Sequence, residues 1–363
     1  MKWSWRIGTI AGIGVYVHAT FVIILAWVGF IHWSLDHTLV QAVQGILFVL
    51  LLFGIVVLHE LGHALTARRF GIQTRDIILL PIGGVARLER MPEDPRQEFL
   101  VAIAGPAVNV VLAGVLLAVV VPVWGVAELV PLNMMEGNVL ARLVWVNIFL
   151  VLFNMLPAFP MDGGRVVRSV LALRLDYVQA TNIAATIGQG MAFFIGFLGL
   201  LVLNPFLLFI ALFVWMGASE ESSMVQMKSA LGGIPISNAM ITDFEVLRAD
   251  EPLQAAVDHI IAGFQHDFPV MDEQGEVAGV LVRKDLFKAL SEIGENGRVA
   301  DAMHTNFETA EPSEMLEGVF MRLQNCDCHT MPVIRGGELV GLITTENLGE
   351  FIMVQSALRE ARG

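Results

Sequence analysis

The residues best placed to do chemistry are His59, Glu60 and His63, within the stretch IVVLHELGHALTARRF from Ile55 to Phe70. At i and i+4 the two imidazoles share one face of a helix and can bind a single metal ion. The adjacent Glu60 can then take a proton from water activated by that metal. Their setting is unusual, because unbroken apolar sequence from Ile46 to Leu58 leads directly into them. An ionisable side chain at membrane depth costs about 2.5–3.5 kcal/mol, so such groups normally mark a functional site.

The elements that carry these residues belong to a membrane protein. Hydrophobic residues make up 55% of the 363, and the mean hydropathy of +0.67 indicates several spans. The formal charge of −13 is uneven. Residues 228–363 hold 22 acidic and 10 basic side chains, a net of −12, whereas residues 1–227 hold 13 and 12. The acidic excess therefore belongs to a C-terminal soluble module, and nothing suggests a nucleic-acid partner. Cys326 and Cys328 are the only cysteines, so no disulfide framework is expected. Together with His329 they could hold a soft metal, but a reduced cytosolic pair is the simpler reading. The N-terminus lacks a small-residue cleavage site and reads as a retained first span.

Six apolar segments can be drawn: Ile10–Phe30, Val43–Ala67, Phe99–Val123, Val139–Leu156, Tyr177–Leu203 and the short Phe206–Ala218. Lys2, Arg6, Arg68, Arg69, Arg75, Arg87, Arg90, Arg96, Arg165, Arg168, Arg174 and Lys228 all fall at alternate ends of these segments. The intervening loops, which include His32 and His37, have no Lys or Arg, and this places both termini in the cytosol of a cell-membrane protein. Between the second and third segments, Pro81, Gly83 and Gly84 break any helix. Ile77–Pro81 and Gly84–Leu88 read as a membrane-proximal hairpin whose edge could capture an extended peptide. Residues 221–234 read as a linker, and 235–297 and 298–363 as two halves of a repeat. Ala239-Met240 recurs as Ala302-Met303 and Pro269-Val270 as Pro332-Val333. Two small α/β units of this kind should pack on each other.

Two histidines leave a catalytic metal short of one protein ligand. The candidate is Asp162 in NMLPAFPMDGGR (154–165), which the charge pattern puts on the same side of the membrane as the histidines. Pro157 and Pro160 interrupt the helix before it, and Gly163-Gly164 permit close backbone approach. A cap for the next helix is a compatible role for Asp162.

HELGH in a membrane helix followed by NMLPAFPMDGG closely resembles the site-2 protease family of intramembrane zinc metalloproteases. PIGG (Pro81–Gly84) and AGPAVN (Ala104–Asn109) add to the resemblance, which covers roughly residues 8–220. It implies a polytopic α-helical protease domain over 1–220, with His59, His63 and Asp162 as zinc ligands. Glu60 would be the general base and Asn154 would lie near the substrate; Asn109 or Asn154 would be an oxyanion donor, with an interhelical contact the other reading of each. Gly83 and Gly84 are candidates for substrate contact. His18, read as buried in the first span, is a candidate for gating or helix packing.

The repeat resembles a tandem pair of cystathionine-β-synthase-type (CBS) domains, which sense adenine nucleotides. The ribose-binding pattern of such domains is met by Asp285 in the first unit, where Val282 departs from it, and by Thr344 in the second, where Asn347 stands for the aspartate. Nucleotide sensing and a purely structural or homodimerising role both remain open. The resemblance implies hydrolysis of peptide bonds in transmembrane or membrane-associated substrates near the cytosolic face. The alternative is a divalent-metal transporter or channel with a CBS sensor.

Overall fold

A computed structural model describes residues 3–36, 38–81, 83–92, 94–129, 138–263, 265–325 and 330–360. His37, Cys326, Cys328 and His329 lie outside the described residues. The chain forms two compact units, Met1–Ser223 and Met224–Gly363.

The first unit opens with a sheet, which corrects the expectation of a span beginning at Ile10. Strands β1 (Ser4–Ile10) and β2 (Ile13–His18) form an antiparallel hairpin, and helix α1 (Ala19–Asp36) starts only afterwards. The physical reason is periodicity. Ile13, Val15 and Val17 alternate with Gly14, Tyr16 and His18, a period of two that β-branched residues favour, and overall hydrophobicity conceals it. Ala11 and Gly12 turn the hairpin with φ of 52° and 87°. His18 accordingly ends a strand and is not inside a span. Its Nδ1 accepts from the Thr20 backbone N–H at 3.3 Å, at the start of α1.

Helix α2 (Leu39–Arg69) carries the histidines and is followed by β3 (Thr74–Leu80) and β4 (Gly83–Leu88). The expected hairpin is present, but inside a larger four-stranded sheet of order β1-β2-β3-β4, with β2 and β3 parallel. Arg87 and Asp76 tie β4 to β3, Nε donating to Oδ1 at 2.6 Å. This hydrogen bond holds the Arg87 guanidinium above its ordinary pKa. Helices α3 (Pro95–Trp124), α4 (Val139–Asn154), α5 (Asp162–Ala172), α6 (Tyr177–Leu201) and α7 (Pro205–Leu231) follow. Asp94 caps α3 by accepting from the backbone of Arg96 and Gln97.

By length and composition, α2, α3, α6 and α7 could each cross a membrane; α1 and α4 are apolar but shorter. The sixth apolar segment ends near Ala218, but the helix that carries it does not. Helix α7 continues to Leu231, so most of the expected 221–234 linker is helical. Met, Gln, Lys, Ala and Leu there are good helix formers, and the break comes only at Gly232-Gly233.

The second unit has two similar halves. One contains β5 (Leu247–Arg248), α8 (Leu253–Ala262), β6 (Phe268–Met271), β7 (Val277–Leu281) and α9 (Arg283–Ile293). The other contains α10 (Leu316–Asn325), β8 (Thr330–Arg335), β9 (Glu338–Thr344) and α11 (Thr345–Glu360). Each half has its own core, around Leu253, Phe268 and Leu286 in one and Leu316, Met331 and Ile343 in the other. Short bridges exchange between the halves at Ile241–Leu342 and Val280–His304, and the Thr330 hydroxyl donates to Asp267 at 2.6 Å.

Close contact between α2 and α3 depends on Gly62, where an added Cβ would lie 2.7 Å from the Ala104 carbonyl oxygen. Gly62→Val should lower the thermal unfolding midpoint in detergent, consistent with an overpacking penalty of about 1–3 kcal/mol. Gly54→Val, where the added Cβ meets nothing within 4 Å, should leave that midpoint nearly unchanged.

Candidate metal centre

His59 and His63 project from one face of α2 toward α3 and the start of α5, and both are buried. Their Nε2 atoms lie 3.1 Å apart, and each stands 3.2 Å from Asp162 Oδ2. Tetrahedral ligands about 2.0–2.1 Å from zinc are separated by roughly 3.3–3.4 Å. The three atoms therefore have close to the spacing of one face of a zinc tetrahedron. Among the described residues this is the one His/Cys/Asp/Glu group that could hold a metal ion.

Two further observations test the fit. Asp162 Oδ2 is buried and has no hydrogen-bond partner. An orphaned carboxylate oxygen facing two imidazoles is an unfavourable arrangement unless a cation lies between them. The second observation is at Gly105 on α3, where an added Cβ would lie 2.2 Å from His63 Nε2 and 2.7 Å from His59 Nε2. Only glycine leaves that space open, and the imidazole donors point into it. The residues present thus fit a zinc ion.

The other ring nitrogens are held from behind. His59 Nδ1 lies 2.5 Å from Asn109 Oδ1, and His63 Nδ1 lies 2.7 Å from the Val101 carbonyl oxygen. Because both partners are acceptors, each Nδ1 carries the proton and each Nε2 is left as a lone-pair donor. Asn109 in turn donates to Asn147 Oδ1 at 2.9 Å, and Asn147 donates to the Leu143 carbonyl at 2.8 Å. Asn109 is therefore engaged at both ends of its amide, behind His59. This geometry suits the interhelical contact.

Asp162 is the first residue of α5 and not its cap; Met161 occupies that position. Gly163 and Gly164 let α5 start hard against the preceding turn, since Cβ atoms there would lie 2.2 Å from the Leu156 oxygen and 2.7 Å from the Ala158 carbonyl carbon. Glu60, half-buried, accepts from the Ala86 backbone N–H at 3.0 Å. Ala86 lies on β4, the end strand of its sheet, and Gly84 on the same strand packs against Val56 and Glu60. Gly83 begins that strand at φ 144°. Asn154 is half-buried at the end of α4, with no side-chain hydrogen bond among the described residues.

A sequence profile of peptidase family M50 matches residues 47–135 and 132–197, and a CBS-domain profile matches 236–292 and 299–353. A zinc metalloprotease of Methanocaldococcus jannaschii is 32% identical over 96% of both chains. The chain belongs to peptidase family M50. It is a zinc metalloprotease of the site-2 protease type carrying a tandem pair of CBS domains. A protein of Mycobacterium tuberculosis named as a zinc metalloprotease is 29% identical over 96% of this chain and 92% of its own. The solved structure of a site-2 protease from Methanocaldococcus jannaschii, 38% identical, aligns with 61% of this chain and 95% of that one at a TM-score of 0.44.

In the second unit, Asp285 Oδ2 lies 2.6 Å from His304 Nε2. The Thr344 hydroxyl accepts from the Asn347 backbone N–H at 3.0 Å, and Asn347 Oδ1 is buried without a partner. Asp285 belongs to the first half of the repeat, and Thr344 and Asn347 to the second.

Gly105 was not singled out from sequence; its only signal was membership of AGPAVN. Gly105→Ala would place a methyl group where the imidazole donors converge. Purified Gly105→Ala should elute as a folded protein and contain less than about a tenth of the zinc of the unmodified enzyme, in keeping with the sensitivity of metal sites to their immediate support.

Proposed function

We propose that the enzyme is an intramembrane endopeptidase whose zinc is held by His59, His63 and Asp162, with Glu60 as the general base. The observation that carries this reading is the convergence of three buried donor atoms, 3.1–3.2 Å apart, beside a carboxylate in sequence register with them. When bound, zinc supplies Lewis acidity, acidifying water and polarising the scissile carbonyl. Glu60 takes the proton of the attacking water and delivers it to the leaving amine. Val101 and Asn109 keep the two imidazoles in the tautomer that presents Nε2. Asn154, half-buried and unpaired, is the side chain free to contact substrate backbone.

The substrate is a transmembrane or membrane-associated protein. An apolar groove of about 720 Å³ is lined by Ile7, Ile10, Val15, Leu58, Leu112 and Leu116, and Leu58 immediately precedes His59. Its chemistry suits an apolar segment. Peptide bonds inside a helix are shielded by their own hydrogen bonds, so the cleaved stretch must be extended. The β4 edge, with Gly83 and Gly84 at its start, is the surface for it. Strand addition there competes with Glu60 for the Ala86 N–H and releases the carboxylate as the substrate arrives.

Topologically, we read six spans with α1 and α4 as the short ones, cytosolic termini and cleavage near the cytosolic face. The CBS pair is the regulatory module and adenine nucleotide its ligand, with Asp285, Thr344 and Asn347 as contacts. Helix α7 runs across the boundary between the two units and is the covalent route for its signal. Nucleotide would have to displace His304 from Asp285.

Glu60→Gln should retain stoichiometric zinc and lose about 10²–10⁴-fold in cleavage of a model transmembrane substrate. Asp162→Ala should lose both zinc and cleavage. Metal analysis with a gel-based cleavage assay reads both, and full cleavage by Glu60→Gln would refute the proposed base.

Titrating the full-length enzyme with ATP or AMP should show saturable binding that Asp285→Ala weakens about tenfold or more, the loss expected when a charge-assisted hydrogen bond is removed. Equal binding by the variant would take Asp285 out of the nucleotide site.

A further inference from the structure

Among the described residues of the protease unit, Arg168 is the largest fully buried side chain, at 0% exposure, and the chemistry above does not use it. It lies on α5, six residues beyond Asp162. Its Nε donates to Glu98 Oε1 on α3 at 2.8 Å, Nη2 reaches the same oxygen, and Nη1 donates to Glu221 on α7. Glu98 is also fully buried, whereas Glu221 is half-exposed. The guanidinium lies 5.0 Å from the ring centroid of Phe159 and 4.9 Å from that of Tyr177. One cation thus joins α3, α5, α7 and the turn three residues before Asp162.

The same turn is gripped a second time. Gly217, one helical turn before Glu221 on α7, packs so closely on Pro160 that an added Cβ would lie 2.6 Å from its Cδ. Phe159 is buried against Ala184 and Ala185 of α6 and Ala218 of α7. A buried ion network is weak support for stability in itself, because apolar replacements of similar volume often do as well. A gain in positional specificity is therefore the better account of its presence, and what lies within reach of this network is the carboxylate ligand.

We propose that Arg168, through Glu98 and Glu221, is a positioning residue that fixes Asp162 relative to the two histidines. The inference rests on the assignment of Asp162 as a zinc ligand. Removing the guanidinium frees α5 to shift on α3 and α7, and the Asp162 oxygen then leaves the position that completes the donor set. His59 and His63, held by α3 through Asn109 and Val101, stay in place. Metal binding should weaken without disappearing.

The test uses the full-length protein in detergent, competing a chromophoric zinc chelator against it and recording the visible spectrum after cobalt substitution. Arg168→Met alone strands the buried Glu98 charge and can unfold the protein, so the informative variant is the double change Arg168→Met with Glu98→Gln. It should keep an unfolding midpoint near that of the unmodified protein, while its zinc dissociation constant rises roughly tenfold and its cobalt bands shift, as when the support behind a ligand is removed. Glu221→Gln should show a smaller change in the same direction, and Arg168→Lys should recover part of the affinity. Unmodified zinc affinity and cobalt bands in the double variant would reduce Arg168 to a structural role and overturn the proposal. If Asp162→Ala bound zinc like the unmodified protein, the ligand assignment itself would fall, and this inference with it.

Discussion

An apolar interior does not tolerate three lone-pair donors facing one another, and the protease unit is organised around that constraint. Two imidazole nitrogens and a carboxylate oxygen converge within 3.1–3.2 Å, and the carboxylate oxygen has no hydrogen bond. A divalent cation converts this unfavourable cluster into a favourable one, so metal binding contributes to stability as well as to chemistry. The backbone is shaped to permit it. Gly105 leaves room in front of the donors, Gly163 and Gly164 let α5 begin where Asp162 is needed, and Gly62 lets α3 approach α2. A side chain at any of these positions would push apart elements whose separation sets the donor spacing.

The site also shows how a membrane enzyme keeps its polar groups satisfied. Each histidine nitrogen that does not face the centre is bound to a carbonyl or amide oxygen, and Asn109 in turn donates an N–H to Asn147. Glu60, beside the centre, is held by an N–H from a sheet edge. With the proposed docking of an extended chain, that arrangement gives the β4 edge two roles, resting partner of the carboxylate and docking line. The two roles exclude one another at Ala86.

Much of the site was legible in the sequence because its signal is local. His59, Glu60 and His63 are fixed by helical spacing, and Asp162 by an interrupted helix on the matching side of the membrane. The CBS repeat was legible for the same reason, through residues recurring about 63 positions apart. What was misread was average hydrophobicity taken without its period. Ile13–His18 is apolar enough to continue a span, yet alternates as a strand, and α7 outlasts its apolar half by thirteen residues, to Leu231. The contacts of Arg168 were hidden for another reason. Counted as one positive charge marking the cytosolic side, it is also fully buried between carboxylates 70 and 53 residues away in sequence. No local pattern announces such a contact, nor the emptiness in front of Gly105.

The central claim is that one zinc ion is held by two imidazoles and a carboxylate at this centre. Zinc K-edge X-ray absorption on the purified full-length enzyme tests it most directly. The account predicts nitrogen and oxygen scatterers alone at about 2.0–2.1 Å, with the outer-shell pattern of two imidazoles. A sulfur scatterer at about 2.3 Å would place the metal at Cys326 and Cys328 instead and contradict the account.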